Sequence, residues 1–352
     1  MPGAVPAQTL EYAQRMLGRF CAAAPDVVCS YPRMQDDADQ TPTELLAPLG
    51  VSTNDAAADP GWHAALLAGG SELVPVYDPA PPVGKDERLV GGAGTIQRQL
   101  TDPIAAFIGG RLGARALDEQ ATGLPALLRG NLIHDALYRL YLDKPARRDI
   151  AAWDDVDRRV GDAIEFAFAR HERHADAVLL RLLAMERQRV AALLREFMRV
   201  DIERGDFGVD SVERTVQFSE SGVRLELRID RIDRLPDGGV AIIDYKTGAE
   251  KTFLNRDGEP KEYQLVAYAL ALDEPVAWLA LANVDSRVVG FHGAGAADHE
   301  DWAELLAQWS DTVREACAGI ARGDVRLNLR QSVEEARPLN PLSRFTELRN
   351  ER

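Results

Sequence analysis

A β-hairpin within residues 225–246 constrains the fold of this chain more than any other feature. Two runs rich in β-branched and apolar residues, LELRIDRIDRL and VAIIDYK, flank the sequence Pro-Asp-Gly-Gly. Such runs on either side of a glycine-containing turn are typical of two antiparallel strands. With residues 236–238 as a three-residue loop and Gly238 in the left-handed conformation, Leu235 is predicted to face Gly239.

This register brings two acidic residues together. Asp230 is predicted to face Asp244, and Lys246 lies two residues further along on the same face of the second strand. Facing side chains in an antiparallel pair lie roughly 5 Å apart at Cβ, so two carboxylates there repel each other unless a positive group joins them. A divalent cation with oxygen ligands would join them, and Mg²⁺ is the usual one. The hairpin therefore indicates metal-assisted phosphodiester hydrolysis.

Four short motifs follow one another around this hairpin. They are Gly-x-x-x-His at 130–134, Ile-Asp-Arg-Ile-Asp at 229–233, Asp-Tyr-Lys-Thr-Gly at 244–248 and Gln-x-x-x-Tyr at 264–268. A lone Asp-x-Lys arises by chance in many chains, whereas four motifs in this order are specific. Together they resemble the PD-(D/E)xK nuclease superfamily, in its RecB/AddB-like branch. Weaker likeness near residue 27 and over 101–112 resembles the C-terminal third of a larger bacterial DNA-repair protein, in which an inactive helicase-like region precedes the nuclease.

The resemblance implies an α/β (α+β) fold with a restriction-endonuclease-like core. A mixed central sheet would be flanked by helices, with an extra helical region at the N-terminus. The implied domains are residues 1–94, as a remnant of a helicase-like domain or a docking segment with a connector, the nuclease domain 95–330 and the tail 331–352.

Residue patterns predict where helices and strands form. The predicted helices cover residues 9–24, 62–68, 95–113 with a start or break at Pro103, 130–142, 153–203 with a break near 171–176, 261–272 and 298–322. The predicted strands cover residues 27–31, 73–77, 211–218, 223–235, 240–246, 276–284 and 287–292.

The resemblance also assigns roles to the motif residues. The metal, Mg²⁺ or Mn²⁺, would be held by His134, Asp230, Asp244 and the backbone carbonyl of Tyr245. The catalytic set would be Asp230, Asp244, Lys246 and Gln264. In this set Lys246 would orient the attacking water and stabilise charge that grows on the phosphate. The residues that would contact DNA are Arg129, Gly130 and Tyr268.

Each assignment has a simpler alternative. His134 would then be an ordinary surface or core histidine, and Gly130 a plain helix-start glycine. Gln264 and Tyr268, which share a helix face, would be a half-buried amide and a core tyrosine. Structural salt bridges are the better interpretation of Arg231 and Asp233, which lie at odd offsets from Asp230.

Charge and composition limit the remaining possibilities. The 352 residues are 46% apolar and 28% charged, as in an ordinary globular protein, and the net charge of −15 argues against a nucleic-acid-binding surface over the whole molecule. The stretch 101–200 is close to neutral, however. Its arginines near the histidine motif could attract a DNA strand, or they could be ordinary ion-paired residues. These arginines are Arg111, Arg115, Arg129, Arg139, Arg147 and Arg148. The absence of a long apolar run and of an export pattern predicts a cytoplasmic protein without a membrane span.

The cysteines argue against a cofactor found in many nucleases of this branch. Those relatives hold an iron–sulfur cluster with four cysteines, whereas this chain has Cys21, Cys29 and Cys317. Asp-Pro-Ile at 102–104 stands where a Cys-Pro-Phe would be expected. We therefore expect no cluster in this chain. Packing would hold together the segments that the cluster joins in those relatives.

The function that follows is a metal-dependent deoxyribonuclease, an exonuclease of DNA repair or recombination, acting on single strands or duplex ends. No Walker phosphate loop is present, so a helicase or other repair subunit would supply any motor. The alternatives are a catalytically silent DNA-binding or scaffold module that keeps the fold, and a nuclease of adaptation or defence.

Overall fold

The computed structural model describes residues 6–35, 38–50, 80–85, 87–115, 123–173 and 175–328, together with Leu342. The chain divides into two compact units, Met1–Tyr77 and Asp78–Arg352. The three-part division at residues 94 and 330 stays a prediction.

In the first unit, the described residues form one α-helix and a few short elements. They are helix α1 (Pro6–Ala22), strands β1 (Met34–Gln35) and β2 (Ala38–Asp39), which pair antiparallel, and a 3₁₀ helix (Glu44–Leu49). Helix α1 confirms the helix predicted over 9–24, with its start shifted to Pro6.

The strand predicted over residues 27–31 is wrong. These residues are irregular, and Val28 is 92% exposed. A strand needs a neighbour for its backbone N–H and C=O groups, and no described strand pairs with this run. Pro25 and Pro32, on either side, each lack an N–H donor. The helix predicted at 62–68 and the strand predicted at 73–77 lie outside the described residues.

The second unit contains most of the helices. They are α2 (Ala93–Thr101), α3 (Pro103–Ala106), which continues into a π-helical turn (Phe107–Arg111), α4 (Ala126–Tyr141), α5 (Arg147–Ala151), α6 (Val156–Glu172), α7 (Ala177–Glu203), α8 (Gln264–Leu270) and α9 (Trp302–Arg322). Pro103 breaks the helix predicted over 95–113, because proline has no N–H and its ring clashes with the preceding turn. The other helices predicted in this unit are confirmed, with shifted ends. Within the described ranges, no helix is both long and apolar enough to cross a membrane.

A five-stranded mixed sheet forms the centre of this unit. Its strands, in sheet order, are β3 (Gly208–Glu220), β4 (Val223–Arg234), β5 (Val240–Lys246), β6 (Val276–Asp285) and β7 (Val288–Gly295). Strands β5 and β6 are parallel and the other neighbours are antiparallel. The connection between β5 and β6 includes helix α8, as a parallel pair requires a crossover. This is the mixed α/β architecture that the resemblance implies.

The sheet separates two hydrophobic cores. Val240 and Ile242 of β5 pack in one core with residues of α2, α8 and α9. Ile243 and Tyr245 pack in the other with residues of α4, α6 and α7. Strand β5 is thus buried on both faces, as its continuous apolar sequence predicts.

The hairpin between β4 and β5 has the predicted register. Arg231 faces Ile243, and at the turn the Leu235 N–H donates to the Gly239 carbonyl over 2.9 Å. Gly238 has φ +87°, the left-handed conformation that the turn requires. One residue beyond the Arg231 pair, this register sets the two predicted acids side by side.

A buried ionic network fixes β4 to the neighbouring helices. The Arg231 guanidinium is fully buried and lies 2.7 Å from Asp233 Oδ1 and 2.9 Å from Asp201 Oδ2 of α7. Tyr141 of α4 donates its hydroxyl to Asp201 over 2.9 Å, and its ring lies 4.1 Å from the guanidinium carbon. Arg204 completes the network by binding both acids. The structural salt bridges predicted for Arg231 and Asp233 are confirmed.

Polar contacts hold the chain before α2 and after α9 against the α2–α3 region. Arg111 Nε lies 2.6 Å from Glu87 Oε1, and its terminal nitrogen donates to the Pro81 carbonyl over 2.5 Å. Gln99 donates to the Asp324 carbonyl over 3.3 Å. These contacts connect both segments to the α2–α3 region, and the replacement of a cluster by packing stays a prediction.

A close backbone approach at the end of α9 generates a stability prediction. Gly323 has φ +76°, and a Cβ there would lie 1.9 Å from the Ala80 carbonyl oxygen. Gly238 is equally left-handed, at φ +87°, but a Cβ there would meet nothing within 4 Å. Gly238→Ala should therefore cost about 1–2 kcal/mol of unfolding free energy, and Gly323→Ala about 1–3 kcal/mol more because the backbone must also move. Urea unfolding of both variants checks this, and equal losses would contradict it.

Candidate active site

An open cavity of about 640 Å³ lies beside the ends of β4 and β5 and the first turns of α2 and α4. Five carboxylates line it, from Asp135, Glu213, Glu226, Asp230 and Asp244. Three basic residues line it as well, Arg170, Arg228 and Lys246. Because acids outnumber bases, the cavity attracts cations and, without one, repels phosphate groups.

Asp230 and His134 meet at one side of this cavity. Asp230 is 7% exposed, and its Oδ2 accepts a 2.8 Å hydrogen bond from the backbone N–H of Tyr245. His134 on α4 places Nδ1 3.6 Å from the same oxygen. Burial favours a lower pKa for His134, but the neighbouring acids, Asp230 above all, outweigh it and raise the pKa. The imidazole therefore lies against a carboxylate, with its ring packed edge-on against Tyr245 at 5.8 Å.

Lys246 lies between two acids and an amide. Its Nζ is 2.9 Å from Asp244 Oδ2 and 3.4 Å from Glu262 Oε2, and it donates to Gln264 Oε1 over 3.0 Å. Burial favours a lower pKa for Lys246, but the charge of Asp244 outweighs it and raises the pKa, so the amine stays protonated. Glu262 was not predicted as a partner of this lysine. Its position depends on the conformation of the loop before α8, which cannot be derived from the register of a strand pair.

The two residues of the Gln-x-x-x-Tyr motif form one chain of contacts. Gln264 accepts from Lys246 and donates its Nε2 to the Tyr268 hydroxyl oxygen over 2.6 Å. Tyr268 is only 4% exposed. This geometry supports a role for Tyr268 in fixing the amide of Gln264, and through it the ammonium of Lys246.

Glu213 is a cavity residue that the motifs missed. It lies on β3 between the pairs Val212–Arg231 and Arg214–Ile229, and so comes opposite Asp230. The residue has φ +48°, a left-handed conformation that costs a non-glycine residue energy and is often retained at functional sites.

A signal for Glu213 was present in the sequence. Ser221 and Gly222 form the loop between β3 and β4, with φ +50° and +86°, and Glu220 pairs with Val223 across it. Both positive φ values are typical of the tight two-residue hairpin turn. Counting back from this Ser-Gly turn places Glu213 opposite Asp230.

The side chains converge in a way that fits a divalent cation. One ligand atom each from His134, Glu213 and Asp230 lies within 4.8 Å of the other two. Burial and the charge of Asp230 raise the pKa of Glu213, and the same two causes raise the pKa of Asp244 to about 6. Buried acids that repel one another, beside an imidazole, are the donor set that Mg²⁺ or Mn²⁺ would stabilise. Asp244 lies against Lys246 rather than in the convergent group, and its role as a ligand stays a prediction.

Gly130 and Arg129 differ in how they relate to the cavity. Gly130 lines it, and a Cβ there would lie 3.0 Å from Thr247 Oγ1, so glycine lets α4 pass close to the end of β5. Arg129 is absent from the described lining. Its Nε lies 3.4 Å from Glu186 Oε1 of α7.

The other arginines near the histidine motif also lie outside the described lining of the cavity. Several of them have an acidic partner, in the pairs Arg111–Glu87, Arg147–Asp206 and Arg148–Asp149. The arginines that do line the cavity, Arg170 and Arg228, belong to α6 and β4. Neither was predicted. Arg228 shares a strand face with Asp230, two residues further along β4, so strand alternation could have found it. Which face of α6 reaches the cavity depends instead on packing between elements.

A protein family and several solved structures are similar to this chain. No curated protein sequence matches the chain. A crystal structure of a candidate exonuclease from Eubacterium rectale is 11% identical, with a TM-score of 0.36, over 66% of this chain and 82% of its own. The structure of SSO0001 is 12% identical, with a TM-score of 0.21, over 56% and 78%. A model of the PD-(D/E)XK nuclease superfamily matches residues 96–331, which is more than half of the sequence, and the chain therefore belongs to that superfamily.

Proposed function

We propose that this chain is a divalent-metal-dependent deoxyribonuclease that hydrolyses phosphodiester bonds. The observation that supports this most is the convergence of His134, Glu213 and Asp230 in one cavity with the Lys246–Asp244 pair. An imidazole and carboxylates that can hold a hard cation, beside a half-buried ammonium, form a donor set suited to hydrolysis of a phosphate diester.

The ligands of the cation would come from four elements. His134 on α4, Glu213 on β3 and Asp230 on β4 converge already, and Asp244 and the carbonyl of Tyr245 on β5 would complete the set. Mg²⁺ or Mn²⁺ bound there would supply Lewis acidity toward a phosphate oxygen and a water. Tyr245 also holds Asp230 through its backbone N–H, which fixes the direction of that carboxylate.

Lys246 would act on the phosphate and on the attacking water. Gln264 and Glu262 hold its ammonium at the cavity wall, so the charge is in place before a substrate enters. A preorganised positive charge stabilises the negative charge that grows on the phosphate oxygens. Gln264, fixed by Tyr268, would keep the ammonium in this position while Asp244 turns to the cation.

The biological setting is part of the same proposal. The four motifs favour the RecB/AddB-like branch, and with it an exonuclease of DNA repair or recombination that acts on single strands or duplex ends. A helicase or other repair subunit would supply any motor. The DNA contacts of Arg129, Gly130 and Tyr268 stay predictions, as does a cytoplasmic location.

Lys246→Ala should abolish cleavage. Because the ammonium stabilises charge in the transition state, its loss should lower the rate of DNA cleavage in Mg²⁺ or Mn²⁺ by about 100-fold or more. The measurement is the release of product from labelled single-stranded and duplex DNA, with EDTA as the metal-free condition.

Lys261→Ala is the matched control, because the ammonium of this exposed lysine binds Thr252 rather than a cavity residue. It should cleave like the wild type. Tight DNA binding without cleavage by either the wild type or the variants would favour the catalytically silent DNA-binding or scaffold module instead. Cleavage that persists in Lys246→Ala would contradict the role of this lysine.

Removing Glu213 should weaken metal binding as much as removing Asp230 does. Each carboxylate would contribute a ligand to the ion. An ion that binds the folded state raises the unfolding temperature, and it does so more the more tightly it binds. We expect Mn²⁺ to raise the unfolding temperature of the wild type, and to raise it far less in Glu213→Gln and Asp230→Asn.

Glu226→Gln is the control for this comparison, since Glu226 lines the cavity outside the convergent group. Its shift with Mn²⁺ should match that of the wild type. A full shift in Glu213→Gln would remove Glu213 from the proposed ligands.

A further inference from the structure

We propose that Arg228 binds a substrate phosphate and that the cation controls its availability. In the cation-free cleft Glu213 holds Arg228, and a cation that takes up this carboxylate releases the guanidinium to the DNA strand. The inference rests on the proposed function, whose metal site it uses, and it adds a phosphate ligand that no motif contains.

Arg228 is placed to meet a strand in the cavity. It lies on β4 two residues before Asp230, and both side chains line the cavity, as alternate residues of a strand share a face. Its side chain is 67% exposed. A planar guanidinium offers several N–H donors in a fork that matches the oxygens of a phosphate. The residue therefore combines reach, exposure and the chemistry of phosphate recognition.

One carboxylate connects Arg228 to the metal site. Arg228 Nε lies 2.7 Å from Glu213 Oε2, and the Glu213 side chain is 19% exposed. The same carboxylate contributes a ligand atom within 4.8 Å of those of His134 and Asp230. A divalent cation and the guanidinium would thus both bind the carboxylate of Glu213. Because the cation has the higher charge, it would weaken the ion pair between Glu213 and Arg228.

The other bases of the cavity are held differently. Arg170 is paired with Asp135 at 2.6 Å, and Asp135 lies outside the convergent group. Lys246 keeps Gln264 and Glu262 as partners when Asp244 turns away. In the described part of the cavity, Arg228 is thus the arginine whose acidic partner is also a candidate metal ligand.

Two linked effects follow from this shared carboxylate. Binding of the cation should strengthen binding of DNA through Arg228, and by reciprocity DNA should strengthen binding of the cation. Without DNA, Arg228 should weaken cation binding, since it competes for Glu213. The device would keep the acidic cleft from taking up DNA until the catalytic metal is present.

The first test measures DNA affinity without metal. Fluorescence anisotropy of a labelled single strand in EDTA compares the wild type with Glu213→Gln and with Glu226→Gln. Both substitutions remove one negative charge from the same cavity, but Glu226 contacts Gln217 rather than Arg228. Glu213→Gln should tighten binding about fivefold more than Glu226→Gln does, and adding Arg228→Ala should remove that extra gain. Equal gains in the two single variants, or a gain that survives Arg228→Ala, would overturn the proposal.

The second test uses the metal alone. Mn²⁺ titration followed by calorimetry should show that Arg228→Ala binds the ion about three- to tenfold more tightly than the wild type. Arg170→Ala, which removes a cavity arginine paired outside the metal cluster, should bind Mn²⁺ close to the wild-type value. Equal effects of the two arginine variants would show general charge repulsion and overturn the competition for Glu213.

These results are distinguishable from a failure of the proposed function. Suppose that Lys246→Ala abolishes cleavage while Glu213→Gln binds DNA like Glu226→Gln and Arg228→Ala binds Mn²⁺ like Arg170→Ala. In that case the nuclease assignment stands and the proposed role of Arg228 is wrong. If the wild type neither binds Mn²⁺ nor cleaves DNA, both fall. If the wild type cleaves DNA but has measurable affinity for the strand neither in EDTA nor with Ca²⁺ in place of Mg²⁺, Arg228 does not contribute to binding and the proposal is overturned.

Discussion

Repulsion between buried carboxylates is the interaction on which the rest of this site depends. The β4–β5 ladder forces Asp230 and Asp244 to the same end of the hairpin, where they are 7% and 3% exposed. Two negative groups with little water between them are unfavourable, and the pKa of Asp244, raised to about 6 by burial and by Asp230, reflects this. The fold must therefore hold both acids in place against their repulsion.

The surrounding structure holds them in several ways. The Tyr245 N–H binds Asp230, and Lys246 binds Asp244. Next to Asp230 along the strand, Arg231 is fixed to Asp201 of α7 by a fully buried ion pair. Breaking such a pair leaves an uncompensated buried charge, so the backbone that carries Asp230 is strongly anchored. These contacts anchor the backbone of the site, while the cavity is open where a cation and a strand would enter.

The sequence predicts the site correctly where the number of residues from a hairpin turn determines which side chains face each other. Gly238 fixes the turn of the β4–β5 hairpin, and the turn fixes the register, so the meeting of Asp230 with Asp244 was predictable. The same counting from the Ser-Gly turn at 221–222 would have found Glu213, but no motif drew attention to β3. The strand predicted over 27–31 failed because strand formation needs a neighbour, which a local pattern does not supply. Arg228 could likewise have been found, because it shares a strand face with Asp230. Whether Arg129 reaches the cavity depends on how α4 packs on the sheet, and hydrophobic periodicity does not determine that.

The acidic character of the whole chain is compatible with a nuclease site because many of the described arginines are paired with acids. Helices α6 and α7 hold many of their arginines in ion pairs with nearby acids, among them Arg158–Asp162, Arg187–Glu172, Arg195–Asp157 and Arg199–Glu203. The net charge of −15 then sets a general repulsion of phosphate. On the proposed function, attraction would arise locally, where a divalent cation would change the balance among the five acids and three bases of the described lining. A cleft built this way would gain affinity for a phosphodiester strand from the same ion that would be needed to cleave it.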